Sequence, residues 1–366
     1  MKKFFLKILY FILKVLAKTV LFLRKPEIVA ITGSVAKSST KEAIYSILKQ
    51  RFAKKVAESA GNLNNEIGLP LAVLGFKKSP TLLSWPFVLI WAFLKTIFYC
   101  LFFIPYPKIL VLEMAADKPG DIEYLVKIAP PKVAVVTAVG PSHLQAFGTV
   151  EKVAQEKTKL VEVLPESGYA VLNEKDFRVF QMAKNTKASV RYFSPNNLDI
   201  PIQAATLVGQ LFGLKLKEEI EEGLKNYRPL KGRINLLRGI SGSLIIDDSY
   251  NANPLSMKYA LKQLIAISKQ RSGKRKIAVL GDMLELGDYT EEGHKEVGRM
   301  AKQNCDLILT TGQKAQLIAK EGGGLYFQTK KQLIEFLKRE IREGDIILVK
   351  ASRGMKFEEI VEKVKS

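Results

Sequence analysis

Short runs of Val, Ile and Leu recur along the chain, at 28–32, 108–113, 132–137, 169–173, 243–247, 276–280, 307–310 and 345–350. They lack the apolar–polar alternation of a half-exposed strand, so they read as strands buried on both faces, the signature of a parallel sheet. Helical stretches lie between them, at 41–48, 69–74, 151–164, 198–224 (with Gly209 and Gly213 as punctuation) and 357–365. Alternation of this kind predicts an α/β fold built on a doubly wound parallel sheet. The segment 227–233 combines Pro229 and Gly232 with Arg228, Lys231 and Arg233 and reads as a hinge. It separates a larger α/β domain, 26–231, from a smaller Rossmann-like one, 232–366.

Two segments break this rhythm. In residues 1–25, Lys3, Lys7, Lys14 and Lys18 fall within an arc of about 60° on a helix, and apolar side chains cover the remainder. This predicts a basic amphipathic helix lying in an anionic membrane surface. A spanning helix is the second option, and a soluble core helix the plain one. The interrupting lysines, and a phosphate-binding loop that starts soon after Lys25, argue against a signal peptide. The stretch 82–106 carries a single charge, Lys95. A helix rising about 1.5 Å per residue over that length reaches across a hydrocarbon core of about 30 Å. One crossing would put the loop at 33–40 and the strand at 108–113 on opposite sides of a bilayer. The expectation is therefore an inserted re-entrant or surface-lying element, with Trp85, Trp91, Tyr99 and Tyr106 at interfacial depth; a buried core helix is the alternative.

Charge sharpens the choice of partner. The 366 residues carry 57 Lys and Arg against 36 Asp and Glu, a net charge of +21, which calls for an anionic partner. Zinc-type Cys/His spacing and RNA-binding aromatic motifs are absent, so acidic lipid or a phosphorylated substrate ranks above nucleic acid. Two cysteines, Cys100 and Cys305, give no disulfide framework and suit a reducing compartment.

The candidate chemistry starts where the first strand ends. Gly33, Ser34, Lys37, Ser38 and Ser39 lie between that strand and a helix, the context of a phosphate-binding loop. Backbone N–H groups and the helix start face phosphates, Lys37 adds positive charge, and Ser38 can ligate Mg²⁺. The further glycine of the long-form loop would fall at Val29 and is absent. Glu113 ends a buried strand, where open α/β sheets bind ligands, and the next strand leads to His143. Ser249 has no base paired with it in the sequence and is rejected as a nucleophile.

ITGSVAKSSTKE, GNLNNEIGLPL, LVLEMAADKPGDIEYL, GPSHLQAFGTVEKVAQEKTKL, Gly232-Arg233, DDSYNANPLSM, VLGDMLELG and LVKASRGM follow one another over 26–366. In that order they resemble the Mur ligase family, closest to its branch that adds D-alanyl-D-alanine to a UDP-muramoyl tripeptide. The resemblance implies a central ATP-binding domain at 26–231 and a C-terminal domain at 232–366. It implies an ATP-dependent ligase that phosphorylates a carboxylate and lets an amine attack the acyl phosphate. It gives Lys37 to the β- and γ-phosphates, Ser38 to Mg²⁺, and Glu113 and His143 to bridging magnesium ions. Lys157 falls where the family carries a carbamoylated lysine that helps hold the second ion. Arg233, Asp248 and Asn251 would meet the nucleotide from the C-terminal domain. Ala36 and Ala351 replace usual glycines, and a methyl at 36 crowds the loop if its φ is positive. Of the family's adenine-contacting pattern, 197–205 keeps only Ala204-Ala205, and the N-terminal UDP-binding domain is replaced by the basic helix. The expectation is a ligase at the cytoplasmic face of the membrane, acting on an anionic, lipid-linked or UDP-linked precursor with an amino acid or dipeptide. The alternative is a membrane-bound ATP-binding scaffold. Folate-type polyglutamylation shares the loop but leaves DDSYNANP and VLGDMLELG unexplained.

Overall fold

Strand β1 (Glu27–Thr32) is buried at every position but its first, because Val, Ala and Ile side chains face helices on both sides. In the computed structural model, which describes residues 2–81, 84–195, 199–272 and 274–366 with side chains from Ile8 onward, it lies inside a six-stranded parallel sheet. The other strands are β2 (Val56–Glu58), β3 (Ile109–Glu113), β4 (Val133–Val136), β5 (Tyr169–Asn173) and β6 (Ser189–Phe193), in the order β2-β3-β1-β4-β5-β6. β1 pairs β3 on one side and β4 on the other. The crossovers from its neighbours therefore leave on opposite faces, and the carboxyl end of β1 is the crevice where such sheets take ligands.

A second six-stranded sheet has the order β11-β10-β9-β12-β8-β7. Its strands are β7 (Asn235–Arg238), β8 (Leu244–Asp247), β9 (Lys276–Leu280), β10 (Leu307–Thr311), β11 (Leu325–Phe327) and β12 (Ile346–Lys350). All pairs are parallel except β7 with β8. Apolar clusters cover both faces, one around Leu261, Leu264 and Val297, the other around Leu333, Leu337 and Phe357. The helix Pro254–Gln270 starts on a capping box: Asn253 accepts from the Ser256 N–H while Ser256 accepts from the Asn253 N–H, and Pro254 occupies the first turn. The chain forms two compact units. One holds residues up to Val139, Ala154–Pro195 and Asp199–Arg228, and the other holds Gly140–Val153 and Pro229–Ser366.

The two segments expected at a membrane are helices that share a buried cluster. α1 (Lys2–Arg24) is a helix, but its inner stripe is core: Leu9, Leu13 and Val20 pack with Leu71 and Leu74 around α3 (Gly68–Val73), and with Ala92 and Tyr99 of α4 (Trp85–Cys100). Within 82–106 the helix covers only Trp85–Cys100, and residues 82 and 83 lie outside the described residues. Of the four aromatic residues expected at interfacial depth, only Trp91 is exposed. Tyr99 is buried, Tyr106 donates to the Val73 carbonyl at 2.8 Å, and Trp85 packs on the cluster. The reason is geometric: α4 needs an inner face to sit on α1 and α3, and tyrosine can bury there while its hydroxyl finds a carbonyl. Among the described residues no helix is long and apolar enough to cross a membrane.

The turn after β1 is tightly built. Gly33 has φ 148°, and a Cβ there would lie 1.9 Å from Thr137 Oγ1. Ser34 N–H donates to the Ala138 carbonyl at 2.7 Å, and Thr137 Oγ1 donates to the Val35 carbonyl at 2.6 Å. Ala36, just before α2 (Lys37–Phe52), sits at φ 62°, ψ 6°, the left-handed region that glycine tolerates best.

Two predictions follow from this packing. Leu13→Ala should lower unfolding stability by about 3 kcal/mol, whereas Phe11→Ala, two-thirds exposed, should change it by less than about 0.5 kcal/mol, both read from denaturant melts. Equal effects would mean that α1 is not part of the core. Ala36→Gly should raise the melting temperature, because relief of left-handed strain is worth about 1 kcal/mol; a fall would show that the methyl is accommodated without strain.

Candidate active site

The loop 33–39 delivers an uncapped helix start. No side chain caps α2 at Ala36, so its first N–H groups and the positive end of the helix dipole are directed at whatever sits in the crevice. Ser34 and Ser38 are buried and Lys37 is half-buried. Ser39 is hydrogen-bonded to Tyr227, whose phenol burial pushes up to about 12.

β3 runs beside β1 with Glu113 opposite Ile31, which sets the carboxylate against the loop. Ser38 Oγ donates to Glu113 Oε2 at 2.7 Å, and Asn64 Nδ2 donates to Oε1 at 2.9 Å. The Glu113 N–H donates to Ser59 Oγ at 3.1 Å. Behind it, the fully buried Lys41 ammonium donates to the Ser59 carbonyl and pairs with Glu42 at 2.9 Å and Glu58 at 3.3 Å. Asn64, Ser59 and Lys41 are positioning residues that the residue-level reading missed; the signal was present, since Lys41 and Asn64 stand inside ITGSVAKSSTKE and GNLNNEIGLPL.

Lys157, on the helix Val150–Glu162, is 2% exposed. Burial, seconded by the charge of Lys37, pushes its pKa down to about 7, against the pull of Asp117, Glu156 and Glu113. Lys41 shows the opposite outcome in the same unit: Glu58 and Glu42 outweigh desolvation and hold its pKa above the ordinary lysine value. Two buried lysines thus end in different protonation regimes, because one lies among carboxylates and the other also faces a lysine. Glu156 itself is committed elsewhere, accepting from the N–H groups of Gly120 at 2.9 Å and Ile122 at 2.8 Å.

The first unit therefore brings together Gly33, Ser34, Lys37, Ser38, Ser39, Glu113 and Lys157. His143, Arg233, Asp248 and Asn251 belong to the second unit. There His143, at φ 52°, has Nδ1 2.8 Å from Glu285 Oε2, and the Gln145 N–H donates to the Glu285 carbonyl at 3.2 Å. A carboxylate on Nδ1 favours the tautomer whose Nε2 lone pair can ligate a cation. Arg233 stacks on the Tyr250 ring at 4.1 Å, and Arg353 lies 5.4 Å from the same ring. The Asp248 carboxylate accepts from the buried ammonium of Lys350, which also donates to the Asn251 carbonyl at 2.8 Å. Burial pushes Asp248 up and Lys350 down, and each one's charge opposes the shift of the other. The Asn251 side chain accepts from the N–H groups of Ala252 and Arg353, shaping its own loop. Ser249 Oγ donates to Asp247 Oδ1 at 2.6 Å. The other histidine, His294, is fully buried with Nδ1 on the Thr290 carbonyl and Nε2 accepting from the Met283 N–H, a structural role.

Among the described residues no three His, Cys, Asp or Glu side chains converge as a metal cage. A cation here would rely on one hydroxyl, one carboxylate and oxygens supplied by a nucleotide. That donor set fits magnesium, a hard ion that keeps few protein ligands and takes phosphate oxygens readily.

The family model for the Mur ligase middle domain matches residues 101–237, and that for the Mur ligase glutamate ligase domain matches 232–353. The UDP-N-acetylmuramoyl-tripeptide–D-alanyl-D-alanine ligase of Bacillus subtilis is 32% identical over 95% of this chain and 78% of its own length. The enzyme of the same name from Escherichia coli is 30% identical over 91% and 76%. The structure of MurF ligase from Thermotoga maritima in complex with ADP superposes with a TM-score of 0.79, at 27% identity over 96% of this chain and 82% of that one. Shared sequence along nearly the whole chain, and a shared fold, make one conclusion: the protein belongs to the Mur ligase family.

Proposed function

We propose that the protein joins D-alanyl-D-alanine to a UDP-linked muramoyl tripeptide using ATP. A tripeptide carboxylate oxygen attacks the γ-phosphorus, the bond to ADP breaks, and an acyl phosphate forms. The dipeptide amine then attacks the acyl carbon; an amide forms, phosphate leaves, and the amine proton passes to solvent. The chain's own part is positioning and charge. The start of α2 and Lys37 receive the phosphates; Asn64 holds the Glu113 carboxylate beside Ser38, while Ser59 fixes the Glu113 backbone N–H. Within the second unit, Arg233, stacked on Tyr250, is a candidate cation for phosphate oxygens. Magnesium, when bound, neutralises converging phosphate charge; in the first unit Ser38 and Glu113 would hold one ion and a carbamoylated Lys157 would be a ligand for a second, and in the second unit His143 offers an imidazole ligand.

The observation that carries this reading is the burial of Lys157 beside Lys37. Carbamoylation needs a neutral amine, and a lysine held near neutrality supplies one at physiological pH. Its product is an anionic oxygen ligand where a bare ammonium would repel the metal. The scaffold alternative rests on Ala36 and on the altered segment 197–205; of these, Ala36 adopts the left-handed conformation of the loop. The reading includes a place at the cytoplasmic face of the membrane, where ATP and a nucleotide-linked precursor are both held. A lipid-linked acceptor is the second substrate option, in keeping with the net charge of +21.

Lys157→Ala should reduce ligation by about 10²-fold or more while leaving ATP binding at the loop largely intact, and added acetate should restore part of the activity. Full ligation by this variant would refute the metal role of Lys157, whereas absence of ligation by the parent chain would favour a scaffold. The pH dependence has a definite sign. Below about 7 the Lys157 amine is protonated and inert towards CO₂, and above it is neutral. At fixed dissolved CO₂, protein stripped of carbamate should therefore regain activity at a rate that rises through about pH 7 and then levels off. A rate still climbing towards 10.5 would mean an ordinary, solvated lysine.

A further inference from the structure

The outer faces of α1 and α4 have no partner in the chain. On α1, Phe11, Val15, Phe22 and Leu23 point outward, with Phe22 75% exposed. On α4 and the turn after it, Phe87, Ile90, Trp91, Phe93 and Phe103 do the same, with Phe87 at 75% and Phe103 at 71%. Sixteen of the twenty-six exposed large apolar side chains among the described residues belong to these two helices and residues 101–104. Both helices rest on the same inner cluster, and Arg24 joins their ends, stacking on Phe102 at 4.3 Å and donating to the Tyr99 carbonyl at 3.3 Å. The two helices therefore concentrate exposed apolar side chains on their outer faces, more than scattered surface residues of a monomer in water account for.

Charge selects the occupant. Residues 1–26 contain seven Lys and Arg and no Asp or Glu, and residues 67–112 contain four and none. Lys18, Lys77 and Lys78 are exposed, and Arg24 is half-exposed beside its aromatic ring. A protein partner for a face of this kind needs its own apolar patch rimmed with carboxylates. A second copy offers the same cations and would repel. An anionic bilayer supplies an apolar interior beneath a negative headgroup layer, matching both features at once.

We propose that the α1–α4 face docks flat on an anionic phospholipid surface, its aromatic side chains in the acyl boundary and Arg24 and the lysines among the headgroups. The proposal rests on the membrane localisation above but not on the ligase chemistry. It also differs from the amphipathic arrangement expected from sequence: Lys14 lies over the Tyr124 ring at 5.0 Å, and the lipid-facing stripe is the one between the lysine edge and the core. The two helices lie in the interface together, and neither spans.

The test is flotation of the full-length chain with vesicles of phosphatidylcholine alone or mixed with phosphatidylglycerol. The protein should float with the mixed vesicles, and high salt should release it only in part, since the apolar contact does not depend on charge. The variant Phe22→Ser/Phe87→Ser/Phe103→Ser alters only exposed side chains; it should keep its melting temperature and its ligation of soluble substrates while binding mixed vesicles about tenfold less or weaker. Unchanged binding by this variant would overturn the proposal, as would failure of the parent chain to float. A dimer in solution that the triple substitution dissociates, with no vesicle binding, would assign the face to a second copy instead. Loss of ligation with flotation intact would count against the ligase reading and leave the docking surface standing.

Discussion

The first unit depends on how closely the turn after β1 can approach β4. Gly33 passes Thr137 at a distance no side chain would permit, and the threonine hydroxyl then holds the Val35 carbonyl. That contact fixes where α2 begins, and the start of α2 fixes Lys37 and Ser38. Glu113 reaches Ser38 only because β3 runs in register beside β1. A single missing Cβ thus sets the geometry of a phosphate loop, with its Ser38 hydroxyl, against a carboxylate from a separate part of the chain. The left-handed Ala36 is tolerated inside this frame because the neighbouring hydrogen bonds over-determine the backbone there.

Buried lysines show how the same desolvation cost leads to different chemistry. Lys41 is surrounded by carboxylates and a carbonyl, stays charged, and acts as a strut behind Glu113. Lys350 is charge-paired with Asp248 and closes the loop 247–253. Lys157 meets opposing fields, and the charge of Lys37 adds to burial. Holding it as an ammonium costs about 5 kcal/mol relative to free lysine, by the usual conversion of a shift of this size. Modification to an anion reverses the sign of its interaction with Lys37.

The parallel strands were legible because burial on both faces leaves uninterrupted Val and Ile runs. The short or edge strands were not: β2 has three residues, β6 exposes most of Ser189–Phe193, and β7 alternates. Lys37, Ser38 and Glu113 could be read from their places at a loop and a strand end, whereas Lys157 looked like a solvated helical lysine until the family resemblance singled it out. The partner of Asp248 stands about a hundred residues away on β12, a separation that no local pattern bridges. For α1 the periodicity located the lysines but could not tell which apolar stripe is core. Leu9, Leu13 and Val20 differ from Phe11, Val15 and Phe22 only in what the fold sets against them. Residues 197 and 198 of the altered segment 197–205 lie outside the described residues, while Ala204 and Ala205 are buried in the helix Ile200–Leu211.

The double-sided character of α1 has a thermodynamic corollary. Its inner stripe is part of the core of the unit that carries the phosphate loop, so α1 cannot loosen without loosening what lies behind it. Any surface that binds the helix only in its folded place acts as a ligand of the whole unit, and by linkage it raises the free energy of unfolding in proportion to its occupancy. A lipid-bound pool and a free pool of the same chain would then differ in resistance to heat and to proteolysis, though their active sites are built from identical contacts.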